Sequence, residues 1–272
     1  MEKLLNTKPV ITISLLSILF FAVPFVPSLL LGYSTGVSLL SALLLLLFSW
    51  LLYRRESQNL SELGLNFKRR RIHLLPLGII IGILFFSVLF STQMLHNGMH
   101  IRVNTHAEYL LITKGALLLL PAVLVEELIF RGYCFKRTVD QAGILGANLI
   151  FAFLFVIWHW IAFNAWGNYG MMFGLITTGF GHWLFSTALL KSGSLYFPIG
   201  IHLGNNWAAH NLFSSSTGGI NTQPSNDALF IITAPKQDPS LLQNAISYLI
   251  TLLCFLIFIW MIGKWKKKTE AA

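Results

Sequence analysis

From Pro9 to Tyr53 the chain carries no Asp, Glu, Lys or Arg. An uncharged apolar run of that length is too long for one globular core, so the medium around it has to be lipid. In hydrocarbon every backbone N–H and C=O must be bonded within its own segment, which makes the α-helix the economical structure. A helix needs about 20 apolar residues to cross. The turn signal Ser34-Thr35-Gly36 divides the run into two spans, near 10–32 and 37–53. Comparable stretches recur near 74–95, 110–132, 143–163, 170–190, 194–213 and 243–263. The expected fold is therefore all-α: a polytopic transmembrane helix bundle with about eight spans. It divides into residues 1–109 (spans one to three and a basic segment), 110–213 (a core of spans four to seven) and 214–272 (an outer loop, the last span and a basic tail). Composition agrees, since only 11% of the residues are charged against about 25% in a soluble domain. The first run continues too long for a cleaved leader and has no small-residue cleavage site, so a retained helix is expected.

With the N-terminus inside, all but three of the 19 Lys and Arg residues fall in cytoplasmic segments; the exceptions are Arg102, Lys114 and Lys236. That asymmetry places both termini in the cytoplasm. The formal net charge of +9 thus reads as anchoring against the bilayer and its anionic head groups, not as a nucleic-acid footprint. Cys134 and Cys254 have no paired spacing and predict neither a disulfide framework nor a thiolate metal site. The stretch Leu60–Leu65 followed by Phe67–Arg71 is amphipathic and basic, and suits either an interfacial segment or a solvated loop. The Ser/Gly/Asn-rich loop 214–242 suits either disorder or a lid.

Among the ten acidic residues, Glu126 and Glu127 are the two that lie inside an apolar run, Leu117–Phe130. Ionisable groups at that depth cost roughly 2.5–3.5 kcal/mol each on insertion scales, so a pair calls for a reason. Neighbours on a helix point about 100° apart and do not share a face. Glu127 and Arg131 stand four apart and can pair along the helix, with the arginine near the cytoplasmic interface. Glu126 has Phe130 and Ala122 at those offsets and must look to another helix. A carboxylate in that setting suits general acid–base work. His159 lies in span five, and His202 and Asn206 share one face of span seven. One glutamate, two histidines and an asparagine can thus converge from three helices to orient a water or hold a metal. His182 and His210 read as packing or interfacial residues, and Gly170, Gly174, Gly179 and Gly181 as close-packing positions. One geometric tension stands in this reading. Glu126 falls in the cytoplasmic half of span four and His159 toward the outer end of span five, so they meet only if span five begins later or tilts.

Three motifs follow in order: Glu126-Glu127-Leu128-Ile129-Phe130-Arg131 (EExxxR), Phe155 to His159 (FxxxH) and His202 to Asn206 (HxxxN). Together with Ser192–Gly200 they resemble the CPBP family, which comprises the type II CAAX prenyl proteases and the bacterial bacteriocin-processing or self-immunity (Abi) membrane proteases. The resemblance covers about residues 110–213. It implies an intramembrane endopeptidase cutting a peptide or membrane-protein precursor, expected in the plasma membrane of a prokaryote. It implies Glu126 as the base that activates water, His159 as a ligand or water-positioning group, and His202 and Asn206 completing the site and stabilising the oxyanion. Glu127 and Arg131 would support them. Within that family both a zinc ion, here on His159 and His202, and a metal-free glutamate mechanism are open; so is the oligomeric state. Nothing in these residues implies a prenylated substrate. Two other classes use the same residues: a proton-coupled transporter, which inverted repeats would favour and none is visible, and a non-catalytic membrane scaffold.

Overall fold

The computed structural model describes residues 7–65, 69–215, 226–233 and 240–265. Asn66, Phe67 and Lys68 of the basic segment, and residues 216–225 and 234–239 of the outer loop, lie outside the described residues. Prolines, glycines and polar caps set where each apolar run starts and stops. Pro24 has no N–H to continue a helix, so the first run forms two helices, α1 (Thr7–Ala22) and α2 (Phe25–Leu31). Helix α3 (Thr35–Arg55) begins at Ser34, whose hydroxyl accepts the Val37 N–H at 3.2 Å. A 3-10 turn (Leu60–Leu63) ends at Gly64, where φ is +67°. A single turn, α4 (Arg69–Ile72), leads into α5 (Leu74–His96), strand β1 (His100–Val103) and α6 (Tyr109–Phe130), which carries Pro121 inside it. Then follow α7 (Tyr133–Ala162), α8 (Tyr169–Leu175), α9 (Thr177–Ser192), α10 (Tyr196–Trp207), a π turn (Ala208–Leu212), strands β2 (Phe213–Ser215) and β3 (Phe230–Thr233), and α11 (Leu241–Gly263). Ser240 and Gln243 cap α11 reciprocally.

Five helical stretches among the described residues are long and apolar enough to cross a membrane: Thr35–Arg55, Leu74–His96, Tyr109–Ala162, Tyr169–Ser192 and Leu241–Gly263. The protein is thus a helical integral membrane protein, with Leu29, Leu117, Leu145 and Phe153 among the large side chains turned outward. The expectation of an all-α bundle holds, and the described residues add one small feature to it. Strand β3 pairs antiparallel with β1 and parallel with β2 in a small sheet of order β1-β3-β2. Its strands of three or four residues are too short to show an alternating pattern.

The helices have two distinct ends. At the basic end, Tyr133 donates to Glu56 at 2.5 Å, Arg137 bonds Glu56 and Gln58, and Leu195 N–H donates to the Leu63 carbonyl at 3.0 Å. Trp265 packs on Phe197 there. At the sheet end, Asn104 and Glu108 N–H groups bond the carbonyls of Leu229 and Asn226, and Leu229 N–H bonds that of Asn211. The segment Leu60–Leu65 is no free loop. Leu63 is fully buried, Ser194 Oγ donates to the Gly64 carbonyl at 2.9 Å, and an Arg71 guanidinium N–H donates to the Gly193 carbonyl at 3.4 Å. The turn is thereby stitched to the start of α10.

Helix α10 itself is seated on α5 through glycines. A Cβ on Gly78 would stand 2.6 Å from the Phe197 carbonyl, and one on Gly200 would stand 2.9 Å from Gly78 Cα. Gly82 and Gly204 make equally close backbone contacts in the next turn. Small residues four apart on both helices let two backbones touch, which in lipid supplies the packing that hydrophobicity cannot. Of the glycines singled out by sequence, a Cβ on Gly179 would stand 3.3 Å from the Val156 side chain and one on Gly174 3.3 Å from the Tyr248 hydroxyl, while a Cβ on Gly170 or Gly181 would make only ordinary contacts.

Candidate functional site

Three helices bring the polar residues together. Glu126 and Glu127 lie near the end of α6, His159 near the end of α7, and His202 and Asn206 on α10. Glu126, His159, His202 and Asn206 all line one cavity of about 740 Å³, a size suited to a ligand. A smaller cavity of about 130 Å³ shares His159, His202 and Asn206.

The depth tension is resolved by a bend in α7. Gly143 takes φ +71° and ψ 171°, a region essentially reserved for glycine. The two halves of α7 fold back there, so that Phe135 meets Phe151 at 5.5 Å between ring centroids. The first half runs beyond the end of α6 and the second half returns. Phe155 then lies beside Phe130 at 4.6 Å, and His159, one turn further, reaches the level of Glu126. Arg131 pairs with Glu127 as the helical spacing suggests, and it is completely buried among protein atoms, with its guanidinium 3.3 Å from Glu127 and over the rings of Phe155 (4.5 Å) and Phe185 (4.9 Å). Desolvating an arginine is affordable where a carboxylate and aromatic faces meet it.

His202 is the centre of the arrangement. Its Nδ1–H donates to Glu127 Oε1 at 2.8 Å, and its Nε2 stands 3.8 Å from Glu126 Oε2. Its ring stacks on Phe185 at 4.7 Å and 16°. The two nitrogens diverge across the ring, so one imidazole addresses both neighbouring glutamates. With Nδ1 donating, Nε2 presents its lone pair toward Glu126. Glu126 Oε2 is buried with no hydrogen-bond partner among the described residues, and 3.8 Å is too long for a direct bond. His159 is oriented in the same fashion, its Nδ1–H donating to the Phe155 carbonyl at 2.7 Å. Asn205 Nδ2 donates to Asn206 Oδ1 at 3.1 Å, engaging the acceptor of Asn206 and not its donors. Asn205 lines both cavities as well, although in the sequence only Asn206 has the helical i+4 spacing to His202.

His182 lines neither cavity. It is fully buried on α9 among Phe135, Phe151 and Phe155. His210 is exposed at the cavity's far edge. Among the described residues no three His, Cys, Asp or Glu side chains converge as a metal site requires. A catalytic zinc takes three protein ligands, so these residues do not fit such a centre.

Fold and site together define a helical membrane protein with a glutamate–histidine–asparagine cluster at the foot of a cavity. Residues 108–208 match the family model described as type II CAAX prenyl endopeptidase Rce1-like, in agreement with the CPBP resemblance. The match takes in Glu126, His159, His202 and Asn206 and implies a peptide-bond hydrolase. No curated protein and no solved structure matches the chain.

Proposed function

We propose that the protein is an intramembrane endopeptidase in which Glu126 activates water. The observation that carries this reading is the pair of facing acceptors, Glu126 Oε2 and His202 Nε2, 3.8 Å apart at the foot of the cavity. The Glu126 side chain is 19% exposed and lines the cavity beside His202 and His159, so its carboxylate can accept a proton from a water held there. Glu126 takes one proton as the water oxygen adds to the scissile carbonyl carbon. Asn206 Nδ2 donates to the oxyanion, and His159 helps place the water. The oxyanion then collapses, the C–N bond breaks, and the proton on Glu126 passes to the leaving amine. Glu127 holds the His202 ring through Nδ1, and Arg131 holds Glu127. Because the donor set does not make a three-ligand centre, no step runs through a metal. The reading extends to about eight membrane passages with both termini in the cytoplasm of a prokaryote, lipid around the bundle and a peptide or membrane-protein substrate.

The test compares membrane and secreted peptides from cells making wild type or Glu126→Gln at matched levels. Specific precursors are expected to accumulate uncut in the variant. Identical peptide profiles from two folded, equally abundant proteins would sink the catalytic assignment.

A further inference from the structure

We propose that the cavity is loaded from the extracytoplasmic side, by an extended, uncharged segment of a membrane-associated polypeptide whose scissile bond is internal to its chain. This rests on the endopeptidase reading above and adds to it the side of entry and the substrate's character.

The cavity runs from Glu126 toward the sheet end of the bundle. Tyr33, 80% exposed, is at its rim in the turn before α3, and the other end of α3 carries Arg54 and Arg55. His210, also on the rim, directly precedes Asn211, whose amide bonds the Asp227 carbonyl at the sheet end. Phe163, 57% exposed, caps the returning half of α7. From the basic end the way is shut: Leu128, Ile129, Phe130 and Arg131 are each no more than 1% exposed. Arg54, Arg55, Arg71, Lys136, Arg137 and Lys191 all gather at that closed end. Excess Lys and Arg mark the cytoplasmic side, so the closed end faces the cytoplasm and the open end faces out.

The lining decides what can enter. Among the described residues that line the cavity there is no Lys or Arg, and Glu126 is the single acid. A free C-terminal carboxylate would meet no Lys or Arg and would stand beside Glu126, so recognition of a chain terminus is disfavoured. The walls offer Phe25, Val125, Trp158 and Leu175 with scattered Ser and Thr hydroxyls, which suit apolar and small neutral side chains flanking an internal bond.

The experiment uses the full-length protein in right-side-out and inside-out membrane vesicles. Single cysteines are placed at Tyr33 or at exposed Gln141, with the buried Cys134 and Cys254 replaced by Ala, and a membrane-impermeant maleimide is added. Tyr33→Cys is expected to label in right-side-out vesicles and Gln141→Cys in inside-out ones; the reverse pattern overturns the side of entry. The second arm follows a precursor identified by the Glu126→Gln comparison. Modifying Tyr33→Cys from outside with a bulky maleimide is expected to slow cleavage at least tenfold relative to the same protein before modification. Unchanged cleavage after complete modification overturns the route. Cut sites mapped to the cytoplasmic part of the precursor, or cleavage abolished by amidating its C-terminus, overturn the substrate assignment. If wild type and Glu126→Gln vesicles release the same peptides, it is the protease reading that fails, and the labelling alone then decides which side the cavity faces.

Discussion

Replacing Glu127 by Gln separates the structural glutamate from the chemical one. The amide keeps the shape of the side chain and can still accept from His202 Nδ1–H through its carbonyl oxygen. What it removes is the negative charge 3.3 Å from an arginine that has no exposed surface. Deleting one partner of a buried ion pair costs about 3–5 kcal/mol, because the other charge is left uncompensated. At about 1.4 kcal/mol per tenfold, that is a shift of at least a hundredfold in the unfolding equilibrium. Glu126→Gln stands in contrast. Its side chain is 19% exposed and makes no hydrogen bond at Oε2 among the described residues, so its stability is expected to stay within about 0.5 kcal/mol of wild type while cleavage is lost. A double variant, Glu127→Leu with Arg131→Met, exchanges the pair for apolar groups and is expected to regain most of the stability. Its activity stays low, since His202 no longer has the acceptor that fixes its ring. The assay is unfolding of the detergent-solubilised protein by increasing SDS, followed by tryptophan fluorescence, with cleavage of an identified precursor measured in parallel. Wild-type stability in Glu127→Gln, or a double variant weaker than the single one, would refute the reasoning.

Three further outcomes are expected. In Gly78→Ala the new methyl meets the Phe197 carbonyl at 2.6 Å, and relieving that contact moves α10 outward by most of an ångström. Overpacking costs about 1–3 kcal/mol, and a displacement of that size at a catalytic helix lowers turnover by about a hundredfold; unchanged turnover in a folded Gly78→Ala protein would contradict the glycine seat. Leu63→Ala, which empties a fully buried position under the turn stitched to Ser194, should destabilise by about 2–5 kcal/mol, whereas a freely solvated loop would lose nothing on the same SDS titration. Gly143→Ala forces a methyl group into a left-handed backbone with open space around it. It should cost about 1–3 kcal/mol through strain alone, and a midpoint equal to wild type would show that the bend in α7 does not depend on glycine.

The helical membrane architecture was legible because its cause is local: an uncharged run such as Pro9–Tyr53 has few physical solutions. The bends were not. Pro24 divides the first run, and Gly143 folds α7 back on itself, but a lone glycine inside an apolar pattern carries no sign of which direction the chain takes. The tight seat of α10 on α5 was present as Gly78, Gly82, Gly200 and Gly204 at matching four-residue spacing. Pairing two such rows requires knowing that helices distant in sequence are neighbours in space. The small sheet escaped for the opposite reason, since strands this short leave almost no pattern to read.

The candidate site shows where single-helix geometry runs out. Glu126 and Glu127 point about 100° apart, which by itself assigns them to separate partners, and the i+4 rule gives Arg131 to Glu127. That pairing is present, yet it is only half of the arrangement. An imidazole has two nitrogens on opposite edges of a rigid ring, so a histidine arriving from α10 can meet both carboxylates at once, bonding Glu127 through Nδ1 and turning Nε2 to Glu126. The same 100° that keeps the glutamates off a common face is what lets them bracket the ring. Adjacency in the sequence therefore has a function of its own. One glutamate, neutralised by a buried arginine, fixes the tautomer; the other has no hydrogen bond at Oε2 among the described residues and lines the cavity. Separating the two by an inserted residue would keep every side chain and lose the bracket.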